Sequence, residues 1–161
     1  MNISELLIPE LKHETELTEK FLSRVPADKL EYAPHEKSMP MRRLCTHLVE
    51  MYDWIPATMD LDVLDLASYQ RPQMNSVDDM LSKLHELAPA AEKALQKDND
   101  VYWLTWTMKQ GDKVLMQMPR YTCIRSMVMN QFPHHRAQLG VYLRLLDIDV
   151  PATYGPSADE S

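Results

Sequence analysis

Two histidines at inward-facing helical positions are the residues of this chain best suited to chemistry. In Asn130-Gln-Phe-Pro-His-His-Arg-Ala-Gln-Leu139, steps of three and four link Ile124, Val128, Gln131, His135, Gln138, Tyr142 and Leu145. Three polar side chains therefore fall on the stripe that should meet a core, and burying them without partners is costly. A divalent cation would satisfy them, because neutral imidazole is a common metal ligand and positions i and i+4 of a helix aim two side chains at one point. A closed, hydrogen-bonded polar core would satisfy them too. The second histidine, His47, lies on the line Leu44, His47, Leu48, Met51 of another helical pattern, with Glu50 three residues on. Such Glu/His pairs occur in carboxylate metal bundles. His134 lies about 100° around the helix from His135.

Four helices must position these groups. Leu7, Leu11, Leu17, Phe21 and Leu22 recur at helical spacing from about Ser4 to Ser23, and Arg24-Val-Pro26 ends the run. Within it, Glu14 borders the apolar stripe and reads as a solvated charge. Residues 26–40 form a connection, after which Ser38 is the expected N-cap of helix two and Pro56 should bend or shorten that helix. Residues 60–75 read as a crossover in which Leu61, Val63, Leu64 and Leu66 would allow one helical turn. Their interspersed aspartates lack the Gly and terminal Glu of a calcium loop.

Ser76-Val-Asp-Asp79 opens helix three as a capping box, with Met80, Leu84, Ala91 and Leu95 facing inward, and Pro89 should kink it. His85 falls off this stripe, on the solvent side. Val101 to Met118 is rich in strand-forming residues around Gly111-Asp112 and reads as a short β-hairpin whose aromatic face packs on the bundle end or on a partner chain. Helix four should run from about Thr122 to Leu146 with a kink at Pro133, and the Pro- and Gly-containing tail beyond Ile148 should lie along the surface.

With 161 residues, 45% hydrophobic and 25% charged, the chain suits one soluble domain spanning residues 1–161, and 3 Gly are too few for a turn-rich β-sandwich. A net charge of -7 disfavours nucleic acid as a partner and leaves a small molecule. No stretch reaches the roughly 20 apolar residues of a membrane span, and Met1-Asn-Ile-Ser-Glu5 has no signal-peptide character, so a cytoplasmic protein is expected. Cys45 and Cys123, without Cys-x-x-Cys spacing, read as reduced, buried thiols.

Pro34 to Met39, Thr46-His47-Leu48, the Asn130–Leu139 stretch and Val-Pro-Ala-Thr-Tyr-Gly-Pro-Ser-Ala-Asp159 together resemble the DinB/YfiT-like superfamily over nearly the whole chain. The resemblance implies an all-α, up-down-down-up four-helix bundle with a long crossover between helices two and three, usually a homodimer. It also implies a three-histidine site for a divalent metal such as Zn or Ni. His47 and His135 match two of those ligands, and Gln131 stands at the third. Glu50 or a water would then complete the set, with His134, Arg136 and Gln138 nearby. The implied activity is that of a metal-dependent thiol S-transferase using a low-molecular-weight thiol, or of a hydrolase acting on a small molecule. The alternative is a non-catalytic small-ligand-binding or dimerisation bundle with a degenerate metal site.

Overall fold

A computed structural model describes residues 2–160, which are mostly helical with one small sheet. In chain order the elements are α1 (Ile3–Ser23), α2 (Met41–Met59), β1 (Val63–Asp65), α3 (Val77–Ala94), α4 (Asn99–Trp103), β2 (Thr105–Gln110), β3 (Lys113–Pro119), α5 (Arg120–Thr122) and α6 (Gln131–Leu145). A 3₁₀ turn at Ala27–Lys29 and a π-helical stretch at Cys123–Met129 complete the set. Helix α1 packs on α3 and α6, and α2 packs on the same two. Their apolar stripes, among them Leu11, Leu22, Leu44, Leu48, Met80, Leu84, Phe132 and Leu139, share one core.

Helix α2 begins at Met41, not at a Ser38 cap. The backbone N–H groups of Met41 and Arg42 donate to the Tyr32 and Leu30 carbonyls at 2.8 and 2.7 Å. The preceding loop thus supplies the acceptors that a capping side chain would otherwise provide. Pro56 does not shorten α2, which continues to Met59. Helix α3 starts as expected: Ser76 and Asp79 exchange side-chain to backbone hydrogen bonds in a capping box.

The chain is mostly helical, as expected, but carries one strand more than the hairpin. Instead of a helical turn, the crossover contributes β1, which pairs in parallel with β2, while β2 and β3 form the expected hairpin. Asp65 makes this possible: its Oδ1 accepts the N–H of Gly111, at 3.0 Å, and of Ala67. Gly111 holds φ +59 at the hairpin tip, a conformation open to glycine at little cost. The expected strand start at Val101 is helical, because Tyr102 is fully buried and donates its hydroxyl to the Leu95 carbonyl at 2.6 Å. Leu64, Trp106, Met108 and Cys123 form a second small core, and Trp106 Nε1–H donates to the Ala57 carbonyl of α2. The hairpin's aromatic side therefore packs against α2.

The expected fourth helix divides into α5, the π-helical stretch and α6. Asn130 N–H reaches back five residues to the Arg125 carbonyl. Pro133 lacks the N–H that would continue an α ladder to Met129, and the backbone before it adopts the wider turn.

Glu14 is buried, contrary to the solvated placement expected from its position beside the stripe. It forms an ion pair with Arg136 and accepts the Tyr154 hydroxyl at 2.7 Å, while Arg136 also bonds Tyr154 and Thr18. This cluster fixes the C-terminal tail to α1 and α6. His85 is exposed and pairs with Glu19.

Two measurements test these anchors. Glu14→Ala strands a buried guanidinium and should cost roughly 3–5 kcal/mol, seen as a lower denaturation midpoint with unchanged slope; a loss below about 1 kcal/mol would mean a solvated pair. The backbone N–H groups of Asn75 and Ser76 hold the Asp79 carboxyl below its ordinary range. Its contribution should be present above the unfolded value of about 3.9 and disappear as pH falls through the lower folded value. The stability gap between wild type and Asp79→Asn should shrink from pH 7 to pH 3, and a constant gap would refute the assignment.

Candidate functional site

His47 stands in the second turn of α2 and His135 in the second turn of α6, where those helices pack together. Their rings meet edge to face, with centroids 4.7 Å apart and planes at 71°. His135 is 6% exposed and the His47 side chain 23%, so one imidazole belongs to the core and the other to its rim.

Each ring is fixed from behind. His47 Nδ1 lies 3.1 Å from Glu50 Oε2, and His135 Nδ1 lies 2.8 Å from Gln138 Oε1. Both partners are acceptor oxygens, so neutral rings carry their protons on Nδ1 and leave lone pairs on Nε2. Among the described residues no hydrogen bond occupies either Nε2. Burial pushes the His135 pKa down; the Gln138 bond opposes this, and the neighbouring His47, His134 and Arg43 add to it. The net shift is downward, which favours the unprotonated form a metal requires.

Glu50 is 3% exposed and also accepts a hydrogen bond from Arg43, at 2.8 Å. Burial alone would raise its carboxyl pKa, but hydrogen bonds from His47 and Arg43 outweigh burial and hold it below its ordinary range. Its other oxygen, Oε1, is buried without a partner, an arrangement that leaves a carboxylate oxygen ready for a cation or a donor.

The remaining expected residues separate. Gln131 is half-buried one turn before His135, at the third ligand position along the helix. His134 is exposed, its ring 4.8 Å from that of His135, centroid to centroid. Arg136, expected to support the imidazoles, is turned toward α1 and engaged by Glu14. Among the described residues no three His, Cys, Asp or Glu side chains form a group able to hold a metal. The donors open to a divalent ion are the two Nε2 lone pairs, with Gln131 one turn before His135; Glu50 stands on the Nδ1 side of His47, opposite its Nε2. This is an open nitrogen and oxygen set, unlike a closed structural zinc site.

Arg43 was missed by the sequence reading. Its signal was present in Arg43, His47 and Glu50 at i, i+4 and i+7, one stripe of a helix. A cleft of about 630 Å3 between α6 and the tail is lined by Phe21, Tyr154 and Pro156 among others, and does not include His47 or His135. The cysteines take no part in the site: burial raises the Cys45 thiol to about 12, and burial also raises Cys123.

Comparison with known proteins gives a consistent picture. The DinB family model matches residues 1–161. The uncharacterized protein YrdA of Bacillus subtilis (strain 168) is 24% identical over 148 residues, covering 91% of this chain and 85% of that protein. A DinB-like protein from Bacillus cereus ATCC 10987 superposes with a TM-score of 0.65 at 21% identity, covering 89% of this chain and 92% of the other. The DinB-like protein YjoA of Bacillus subtilis superposes at 0.70 with 14% identity, covering 97% and 99%.

Both thiols should resist alkylation in the native state and react after denaturation. Mass spectrometry of iodoacetamide-treated native protein checks this; rapid labelling of Cys45 or Cys123 would reopen a nucleophilic role.

Proposed function

The chain belongs to the DinB family, and from that membership we propose that it is a divalent-metal-binding protein that acts on a small molecule. His47 and His135 are the nitrogen ligands, and Gln131 and Glu50 complete or tune the set. The observation that carries this reading is the pairing of the two rings at 4.7 Å, with both Nδ1 atoms engaged by acceptor oxygens. Such backing fixes tautomer and direction at metal-ligating histidines.

A bound Zn or Ni ion would supply Lewis-acid polarisation and activation of a thiol or water nucleophile, the chemistry of a thiol S-transferase or a hydrolase. The chain's own part is orientation and proton placement. Glu50 holds the His47 Nδ1 proton and is steadied by Arg43. Gln138 does the same for His135, and burial keeps that ring neutral. An up-down-down-up bundle of α1, α2, α3 and α6 agrees with the packing of α1 and α2 each against α3 and α6. From the same membership we infer a homodimer in the cytoplasm. Among the described residues no helix is long and apolar enough to cross a membrane.

One observation favours a second reading. Because no three His, Cys, Asp or Glu residues form a metal-holding group among the described residues, the pair with Gln131 and Gln138 would instead form a polar lining for an uncharged ligand or a dimer-stabilising core.

Metal analysis separates the two. Protein purified without chelator and equilibrated with Zn or Ni should retain about one ion per chain, lose it in His47→Ala and His135→Ala with helicity intact, and bind more tightly in Gln131→His. Glu50→Gln should weaken binding by roughly 10–100-fold. Wild type that retains no ion under these conditions sinks the metal reading.

A further inference from the structure

Beside α2, a cleft of about 240 Å3 whose lining includes neither His47 nor His135 lies between that helix and the segment Arg71–Asn75. Arg42, Arg43 and Arg71 are among the residues that line it, with Glu31 and Glu50. In a chain of net charge -7 this is a local reversal of sign, and a low-dielectric wall beside such a cluster concentrates anions.

The three cations differ in how firmly they are held. Arg43 is held by Glu50, which is buried. Arg42 bonds the Asn75 carbonyl and Glu31, whose side chain is 73% exposed, so water and salt weaken that pair. Arg71 is exposed and makes no hydrogen bond or ion pair with the described residues. A second, independent feature also calls for a ligand: Glu50, 3% exposed, lines this cleft with its Oε1 buried and unpartnered. A carboxylate oxygen in that state needs a hydrogen-bond donor.

We propose that this cleft is an anion-binding site, specific for a small acidic molecule that carries a hydrogen-bond donor next to its charge. Arg71 and Arg42 take the acidic oxygens, Arg42 exchanging its weak surface partner for the ligand. Glu50 Oε1 accepts the ligand's O–H or N–H. The cleft is below the roughly 300–1,000 Å3 of drug-sized pockets, which limits the occupant to a compact molecule or to the acidic end of a longer one. Because the same carboxylate joins Arg43 to His47, an occupant that draws on Arg43 or Glu50 alters what stands behind the His47 ring. The site requires only side chains of this chain and goes beyond the metal reading.

Inorganic phosphate and sulfate separate the elements of the proposal, since at neutral pH phosphate brings P–OH donors and sulfate brings none. Isothermal titration calorimetry on the chelator-treated full chain should give phosphate binding, with sulfate weaker by roughly tenfold or more, the penalty of facing a bare carboxylate without a donor. Arg71→Ala should lower phosphate affinity by a similar factor while the thermal midpoint without anion stays unchanged. Glu50→Gln should bring the two anions toward equal affinity; if that variant does not fold, the Arg71 comparison decides. No phosphate binding at millimolar concentration, or binding indifferent both to Arg71→Ala and to the choice of anion, overturns the proposal. Repeating the titration with Zn present keeps the two readings apart. Phosphate binding in a chain that retains no metal would leave this site standing and the metal reading refuted; metal retention with no phosphate binding would do the reverse.

Discussion

Pro133 donates no backbone hydrogen bond, and the helix bearing His135 and Arg136 has to accommodate that. The preceding stretch, Cys123–Met129, widens to a π-helix and α6 restarts at Gln131. With α6 lodged against both α1 and α2, two consecutive residues serve opposite neighbours: His135 meets His47 of α2, and Arg136 meets Glu14 of α1. Adjacent positions about 100° apart on α6 thus send one polar side chain to each neighbour.

The two polar clusters that result are closed to different degrees. Around Arg136, charge meets charge: Glu14, Thr18 and Tyr154 take the terminal guanidinium nitrogens, and only Nε is left over. The cluster anchors the tail and behaves as structure. Around Glu50 one oxygen is shared by Arg43 and His47 and the other is bare. Two imidazole Nε2 atoms are similarly unoccupied. An unsatisfied polar atom in a desolvated setting is costly, and the bare Glu50 oxygen lies beside two imidazoles whose Nε2 atoms are free to meet a ligand.

Much of this was legible in the sequence because helical period is a strong local signal. The stripes of α1, α2 and α3, the Ser76 capping box and the inward placement of His47 and His135 all follow from spacing alone. What was not legible depended on partners distant in sequence. Glu14 looked solvated until Arg136, from the other end of the chain, arrived beside it. Ser38 looked like a cap because the Leu30 and Tyr32 carbonyls that replace it have no sequence signature. Val63–Asp65 looked like loop or helix because a strand of three residues is defined by its neighbour and not by its own pattern. Arg71 stood in a segment without periodicity, where its position beside Arg42 and Arg43 cannot be inferred from spacing.

The parallel pairing of β1 with β2 bears on how the chain assembles. Its two strands are separated in sequence by the whole of α3, so joining them closes a long loop and brings no local hydrogen bonds in return. Non-local contacts of this kind are slow to form, whereas β2 and β3 can meet across Gly111 at once. Loop closure thus favours the hairpin over the β1 pairing. The C-terminal half of α2, where Trp54 and Ala57 meet the sheet, therefore owes its cover to a contact between segments far apart in sequence.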